Sequence, residues 1–408
     1  MIGLSPAWSL RMPDATTPLD RRRFLRLSAA ALAATQTPAW AASAVDTSAV
    51  DPHARWRGRL IVNALGGLGN PNAPDADQGS GLGGRKRQRL QLDARERADL
   101  RASGLSAVNC TLGPVAGPDD PFQGAVSDIG LYERLQRDYP DVFIKVLRAA
   151  DIERARRDGK VGLIYGFQNT TMIGDALDRV DMFADLGVRA IQLTYNPANA
   201  VGDGAMAKEN RGLTPFGREL VARLNDNRLM VDLSHSGENT CLEAARLSRQ
   251  PISINHTGCR ALVDLPRNKT DAELRLVAER GGFVGIYFMP FLNPKGIVTA
   301  DDVVAHIEHA VKICGEDAVG IGTDGTVTQI DDLDAYRTLL AREIEERRKA
   351  GIAAAGEGPH TLPFAVDLRG AGQFFQLAAL LEKRGHGTER IEKILGRNFL
   401  RYANLIWQ

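Results

Sequence analysis

Three side chains that can bind a metal ion stand where predicted strands end. His235 and His256, two of the chain's seven histidines, and Asp324 each close or directly follow a short apolar segment typical of a buried strand. Because neighbouring parallel strands lie about 4.8 Å apart, side chains at their carboxyl ends can converge on one ion. Two imidazoles and one carboxylate form a divalent-metal set that leaves positions open for water.

The elements that must position these residues alternate along the chain. The eight predicted strands are 59–65, 106–112, 161–167, 190–195, 229–234, 252–256, 282–288 and 318–323. Amphipathic helical segments between them include 217–224, 240–248, 271–280 and 301–314, and Thr270 and Thr299 are placed as N-caps. This alternation predicts an α/β fold, a (β/α)8 TIM barrel, although a doubly wound parallel sheet would show the same pattern.

Several connections are longer than a simple helix needs. Segments 66–84 and 195–213 follow strands and are rich in Gly and Asn, so we expect substrate contacts there, on the face where barrel enzymes carry their active sites. An insertion near 332–367 follows the last strand and begins with a charged helix at 335–350. This insertion is expected to serve as a lid, as an oligomer contact or as a partner-binding segment. Its run 342–349 indicates a solvated helix face.

The N-terminal residues have the pattern of an export signal. Arginines at 21–23 precede Phe24 and the short apolar segment 27–34, and A-x-A cleavage sites occur at 39–41 and 42–44. The sequence therefore predicts a twin-arginine signal over residues 1–44, a periplasmic location and a single barrel domain over 45–408. A frayed basic helix is the alternative. No later apolar segment reaches the length of about 18 residues that a membrane span needs.

Composition excludes other classes of protein. The 408 residues hold 51 Lys and Arg against 50 Asp and Glu, a formal net charge of +1, so no basic excess exists to neutralise nucleic acid. The four cysteines, at 110, 241, 259 and 314, are too widely spaced for a zinc knuckle. We expect four buried thiols, with one late disulfide as the alternative.

Longer collinear motifs carry a family resemblance. They are the block 212–221, which leads into 232–235, then Pro266-Arg267-Asn268, 317–325 and 393–401. Together they resemble the membrane (renal-type) dipeptidases, which are zinc enzymes with an amidohydrolase-like TIM barrel. The resemblance implies a small peptide-like substrate and suggests a homodimer.

The resemblance also implies roles for individual residues. His235 and His256 resemble the two histidine ligands of one zinc ion, and Asp324 resembles the active-site aspartate that handles the proton. Arg267 resembles the arginine that binds the substrate carboxylate, a task that suits its planar fork. Asn196 and Asn199 resemble loop residues that line the substrate cleft.

Two departures from the family alter the expected metal centre. Leu65 and Gly67 stand at the positions of an H-x-D pair that holds the other zinc, and Gln168 replaces a glutamate that bridges both ions. Asp75 and Asp77 could swing in as substitutes. We therefore expect one divalent metal, zinc first, or none.

That single ion would be held by His235 and His256, and completed by Asp324, by the Gln168 oxygen or by water. Asp232 and Asp264 are expected to flank the site, where either could accept a hydrogen bond from a ligand imidazole.

Two functions follow from these residues. The first is an exported, metal-dependent hydrolase of the dipeptidase family that cleaves a dipeptide or a small peptide-like amide at a mononuclear site. Asp324 would then be the catalytic acid and base, and Arg267 would fix the substrate carboxylate. The second is a hydrolytically altered homologue that binds or tailors a peptide-derived periplasmic metabolite.

Overall fold

The computed structural model describes residues 54–73, 91–116 and 120–407. The predicted export signal and the two aspartates at 75 and 77 lie outside these residues. Backbone contacts place Asp51–Gln408 in one compact unit. In the part of the chain described, no helix is long and apolar enough to cross a membrane.

Strands and helices alternate through the described residues. The strands are β1 Val62–Gly66, β2 Ala107–Thr111, β3 Phe143–Lys145, β4 Val161–Phe167, β5 Val188–Gln192, β6 Met230–Asp232, β7 Ser253–Thr257, β8 Phe283–Ile286 and β9 Val319–Ile321. The helices are α1 Ala94–Ser103, α2 Pro121–Asp138, α3 Ala149–Arg157, α4 Asp178–Asp185, α5 Pro215–Asp226, α6 Glu238–Leu247, α7 Asp271–Glu279, α8 Ala300–Cys314, α9 Leu333–Lys349, α10 Gln373–Lys383, α11 Thr388–Glu392 and α12 Asn398–Ile406.

Eight parallel strands form a closed barrel. They follow the order β1-β2-β4-β5-β6-β7-β8-β9. The Asp324 amide donates to the Leu65 carbonyl (2.9 Å) and the Gly67 amide to the Gly325 carbonyl (3.0 Å), which joins the end of β9 to β1. All eight predicted strands are present, and the barrel, rather than the doubly wound sheet, is the fold.

The strand that the sequence did not predict is β3, which pairs only with the first half of β4, from Val161 to Leu163. Strand β5 pairs with the same edge of β4 from Tyr165 onward. Three residues are too few to show a period, so pattern analysis misses such a strand.

Burial explains why these segments form strands. All seven residues of β4 are buried, as expected for a parallel strand covered on both faces. The predicted N-caps are also in place. Thr270 and Thr299 accept from the backbone three residues ahead, and Glu273 and Asp302 reach back to complete capping boxes that begin α7 and α8.

Residues 333–367, which we call the capping segment, follow β9. They begin with α9, close to the helix predicted at 335–350. Tyr336, Leu340 and Ile344 of α9 pack against Leu362. Further on, Ile352 is 1% exposed and packs with Tyr195 and the loop after β2. The segment is therefore anchored on the loops that follow the barrel strands.

All four cysteines are free thiols. Cys110, Cys241 and Cys259 are buried and Cys314 is partly buried.

Candidate functional site

The predicted site residues stand at the carboxyl ends of barrel strands. His256 lies within β7, His235 follows β6 by three residues, and Asp324 follows β9 by three. Asp324 has a φ of 59°, a left-handed conformation that is uncommon for a residue other than glycine. Such a conformation persists where the surroundings hold it, here through the bond from its amide to β1.

The two histidines form a buried pair. The distance between His235 Nε2 and His256 Nε2 is 2.9 Å, and His235 Nδ1 lies 2.7 Å from Asn196 Oδ1. Burial, together with the nearby Arg267 guanidinium, holds the pKa of both imidazoles well below the usual range, so both are neutral at pH 7.

The protons of this pair can be placed from the donor and acceptor chemistry. Because Asn196 Oδ1 only accepts, His235 carries its proton on Nδ1 and offers an unprotonated Nε2. His256 must therefore donate from Nε2. Its Nδ1 is then a buried acceptor without a partner among the described residues.

An aromatic ring covers His235. Tyr195 stacks on the imidazole with ring centroids 4.2 Å apart and 21° between the planes. Both terminal nitrogens of Arg347 lie 3.3 Å from the Tyr195 hydroxyl oxygen. Arg347 also forms a two-bonded ion pair with Glu357 at 2.9 and 3.1 Å. The capping segment thus contributes directly to the site.

Arg267 is a buried cation that forms no ion pair among the described residues. It is 2% exposed, donates from Nη1 to the Ser234 carbonyl at 2.5 Å, and lies over the Tyr287 ring with its guanidinium carbon 5.8 Å from the centroid. A guanidinium has five N–H donors and is strongly disfavoured when buried without an anion. This arrangement is suited to binding the carboxylate of a ligand.

The Asp324 carboxylate is the acidic group of the site. Burial raises its pKa to about 6, while the positive charges of Arg267 and Arg347 act to lower it and Glu357 adds to the rise. In the described part of the chain, no donor forms a hydrogen bond to this carboxylate. A carboxyl group with a pKa near neutrality can accept and return a proton.

This raised pKa predicts how stability depends on pH. Because the pKa of Asp324 in the folded chain, about 6, exceeds the reference value of 3.8, its contribution to stability is complete below 3.8 and is lost as the pH rises through 6. Asp324→Asn should therefore gain roughly 2 kcal/mol in unfolding free energy over wild type between pH 4 and pH 7. Urea unfolding across that range measures the difference. Asp264→Asn, whose carboxylate is 88% exposed, should show no such trend, and an equal trend in both variants contradicts the assignment.

The other metal positions that the resemblance implies hold no histidine or carboxylate. Leu65 is a buried apolar side chain, Gly67 has none, and the Gln168 amide donates to Thr111 Oγ1 at 2.6 Å. Within the described residues, no group of three or more His, Cys, Asp or Glu side chains is arranged to hold a metal ion. The structure thus brings together His235 and His256 but does not join Asp324 to them as a third ligand. The carboxylates and histidines that a two-metal centre needs are thus not gathered among the described residues.

The two asparagines predicted to line a cleft differ in their surroundings. Asn196 contacts His235, as described above. Asn199 instead stabilises its own loop. Its Nδ2 donates to Asn169, Thr170 and Leu193. Its Oδ1 accepts from the Val201 and Gly202 amides. Every hydrogen-bonding atom of the Asn199 amide is thus used within the fold, although the residue lines a cavity of about 470 Å³.

Neither of the two aspartates expected beside a ligand imidazole contacts one. Asp232 accepts from the backbone amides of Ser234 and Asn255, both at 3.0 Å. Asp264 is exposed and pairs with Arg260. That prediction was wrong because the buried Asp232 carboxylate is already satisfied by backbone donors, whereas the Asp264 carboxylate lies at the surface.

Sequence analysis missed Tyr195, Arg347 and Glu357. The run 342–349 was interpreted as a solvated face, yet the Arg347 side chain is 16% exposed whereas Arg348 is 59% exposed. The spacing could have predicted the burial of Arg347, because residue 347 lies three after Ile344 on the buried face of α9.

Comparisons with known proteins identify the family of this chain. The model of membrane dipeptidase (peptidase family M19) matches residues 88–355. Dipeptidase tcpJ of Claviceps purpurea is 28% identical over 69% of this chain, and the match spans 59% of that relative's length. An amidohydrolase structure from Pseudomonas aeruginosa is 33% identical with a TM-score of 0.71, covering 87% of this chain and 99% of that one.

A second structure shows the same fold at lower identity. The metallo peptidase from Rhodobacter sphaeroides, liganded with a phosphinate mimic of the dipeptide L-Ala-D-Ala, has a TM-score of 0.66 at 20% identity and covers 86% of this chain and 99% of its own. The family match spans well over half of the sequence and runs through the β6, β7 and β9 strand ends that carry the site. The chain is therefore a member of the membrane dipeptidase family, peptidase family M19.

Proposed function

We propose that the protein acts, after export to the periplasm, on a dipeptide or small peptide-like amide that carries a free carboxylate. The observation that carries this proposal is the buried Arg267 guanidinium, which forms no ion pair among the described residues, in a site that also holds Asp324. An arginine fork matches a carboxylate with two parallel hydrogen bonds. Arg267 would bind and orient the ligand, and Asp324 would hold or move the proton.

Metal dependence is the finer part of the proposal. Zinc is the ion that the family resemblance implies, and in a hydrolase it activates water and polarises a carbonyl. The two imidazole Nε2 atoms converge on one point, which supports a single ion at His235 and His256. Catalytic zinc ordinarily has three protein ligands, and among the described residues no third His, Cys, Asp or Glu side chain joins the two histidines. We therefore assign no step to a metal.

A second function is favoured by the replaced ligands. With Leu65, Gly67 and Gln168 at three metal positions, the site retains the carboxylate-binding arginine and the proton-handling aspartate. A protein of this kind would bind a peptide-derived molecule and tailor it without hydrolysing a peptide bond.

One experiment separates the two functions. The purified protein is incubated with L-Ala-D-Ala and with its C-terminal carboxamide, as isolated, with a chelator, and with added zinc, manganese or cobalt. Binding is measured by calorimetry, amine release by chromatography and metal content by elemental analysis. His235→Ala/His256→Ala serves as the comparison variant.

Turnover of the free-carboxylate dipeptide, with about one metal ion per chain that disappears in the double variant, supports the mononuclear hydrolase. Binding of that dipeptide without turnover in any condition supports the second function. If the carboxamide binds as tightly as the free carboxylate, or if neither ligand binds, both proposals are wrong.

A further inference from the structure

The capping segment touches both neighbours of His235. Asn196 Nδ2 donates to the Ile352 carbonyl at 2.7 Å, and Arg347 donates to the Tyr195 hydroxyl. Tyr195 and Asn196 are consecutive residues after β5, and each contacts the His235 imidazole, one through its ring face and the other through Nδ1. The capping segment therefore reaches His235 by two separate contacts.

The Ile352 carbonyl decides which way the Asn196 amide faces. A carbonyl oxygen only accepts, so the Asn196 atom turned toward it must be the Nδ2 donor. The Oδ1 acceptor then faces His235 Nδ1, which must carry the imidazole proton. With the amide reversed, the atom facing His235 would be a donor, and the proton would have to move to Nε2.

Tyr195 holds the His235 imidazole in the plane that its hydrogen bond to Asn196 requires. Two guanidinium nitrogens at 3.3 Å fix the hydroxyl oxygen, and Glu357 fixes the guanidinium in turn. Both the Arg347 and Glu357 side chains are largely buried, at 16% and 12% exposed. Ile352 packs against the Tyr195 ring as well, so the ring has little freedom to leave the face of His235.

We propose that the capping segment sets the position of the proton on His235, with Asn196 and Arg347 acting as positioning residues. Docked on the barrel, the segment keeps the proton on Nδ1, so the Nε2 lone pair accepts the hydrogen bond from His256. When the segment is released, the Asn196 amide is free to turn and the preference for Nδ1 is lost. The insertion is thus a working part of the site, and this inference holds whether or not the protein hydrolyses peptides.

Nitrogen NMR of protein labelled with ¹⁵N-histidine and purified with a chelator tests the proposal directly. In the wild type, we expect His235 to be protonated at Nδ1 and His256 at Nε2. The His235 signals are identified by their loss in His235→Gln. A wild-type His235 protonated at Nε2 would overturn the proposal without any further variant.

Variants then test the role of the capping segment. Arg347→Gln/Ile352→Ala should convert His235 from one tautomer to a mixture of both forms, since losing the Arg347 ion pair and the packing of the Ile352 side chain loosens the segment that holds the Ile352 carbonyl against Asn196. Arg348→Gln is the matched control. It removes one positive charge from the same helix, as Arg347→Gln does, but the Arg348 side chain is exposed. An unchanged single tautomer in the double variant, or an equal change in the control, contradicts the proposal. Arg347→Gln alone, which keeps the packing of Ile352, gives a smaller change in the same direction and serves if the double variant does not fold.

Discussion

Replacing Leu65 by His, Gly67 by Asp and Gln168 by Glu is expected to raise the metal content to about two ions per chain and to produce or strengthen dipeptide hydrolysis. The change supplies the three ligands that the family resemblance implies, and positions 65, 67 and 168 would then hold a second ion, which would activate water and polarise the scissile carbonyl. The backbone has room for it: a Cβ at Gly67 would lie 3.5 Å from Thr326 Cγ2, an ordinary contact. Elemental analysis and amine release measure the outcome, and a rate gain of roughly 100-fold corresponds to about 2.7 kcal/mol.

Two controls define this result. Leu65→His/Gly67→Asp without the glutamate should bind the second ion less tightly, because no carboxylate then bridges the two charges. The triple change made in His235→Ala/His256→Ala should not reach two ions. If the triple variant folds and still holds no more metal than the wild type, positions 65, 67 and 168 are not the missing ligands.

Arg267→Met is expected to weaken binding of a dipeptide with a free carboxylate by roughly 30-fold or more, or about 2 kcal/mol, the lower end of the cost of removing one partner of a buried charge pair. Binding of the C-terminal carboxamide should change little, since it has no anion to pair. The same substitution should leave the unfolding free energy unchanged or raise it, because the folded chain no longer buries a cation that forms no ion pair among the described residues. Calorimetry and urea unfolding measure the two effects.

Arg267→Lys separates charge from shape. Lysine keeps the charge but loses the planar fork, so its affinity should fall between those of the wild type and Arg267→Met. Arg260→Met removes an arginine of the same loop that is 32% exposed and already paired with Asp264, and it should alter neither ligand affinity nor stability by much. Equal losses for the carboxylate and the carboxamide ligands would show that Arg267 supports the fold rather than binds the ligand.

Much of the barrel could be predicted because its signals are local. Each of the eight predicted strands is a short apolar segment buried on both faces, and the caps at Thr270 and Thr299 depend on residues three apart. The ends of those strands then located His235, His256 and Asp324, since a barrel gathers strand ends on one face. Neither inference needed contacts between distant parts of the chain.

The remainder of the site depends on contacts that no local pattern contains. The approach of Arg347 to Tyr195 joins residues 152 positions apart, and the Asn196 amide is oriented by a backbone carbonyl 156 positions away. Every residue has a backbone carbonyl, so no sequence motif could predict this contact. The close approach of the two imidazoles likewise reflects where two neighbouring strands end in space.

The seam between the first and last strands has a consequence for the timing of folding. Asn63 and Thr323 exchange hydrogen bonds at 2.8 Å across 260 residues of sequence, and the bond from the Asp324 amide to Leu65 belongs to the same seam. Contacts between such distant residues carry a high entropic cost of loop closure and form slowly. Asp324 therefore takes its place only when β9 has docked against β1, so the carboxylate of the site is positioned late in folding.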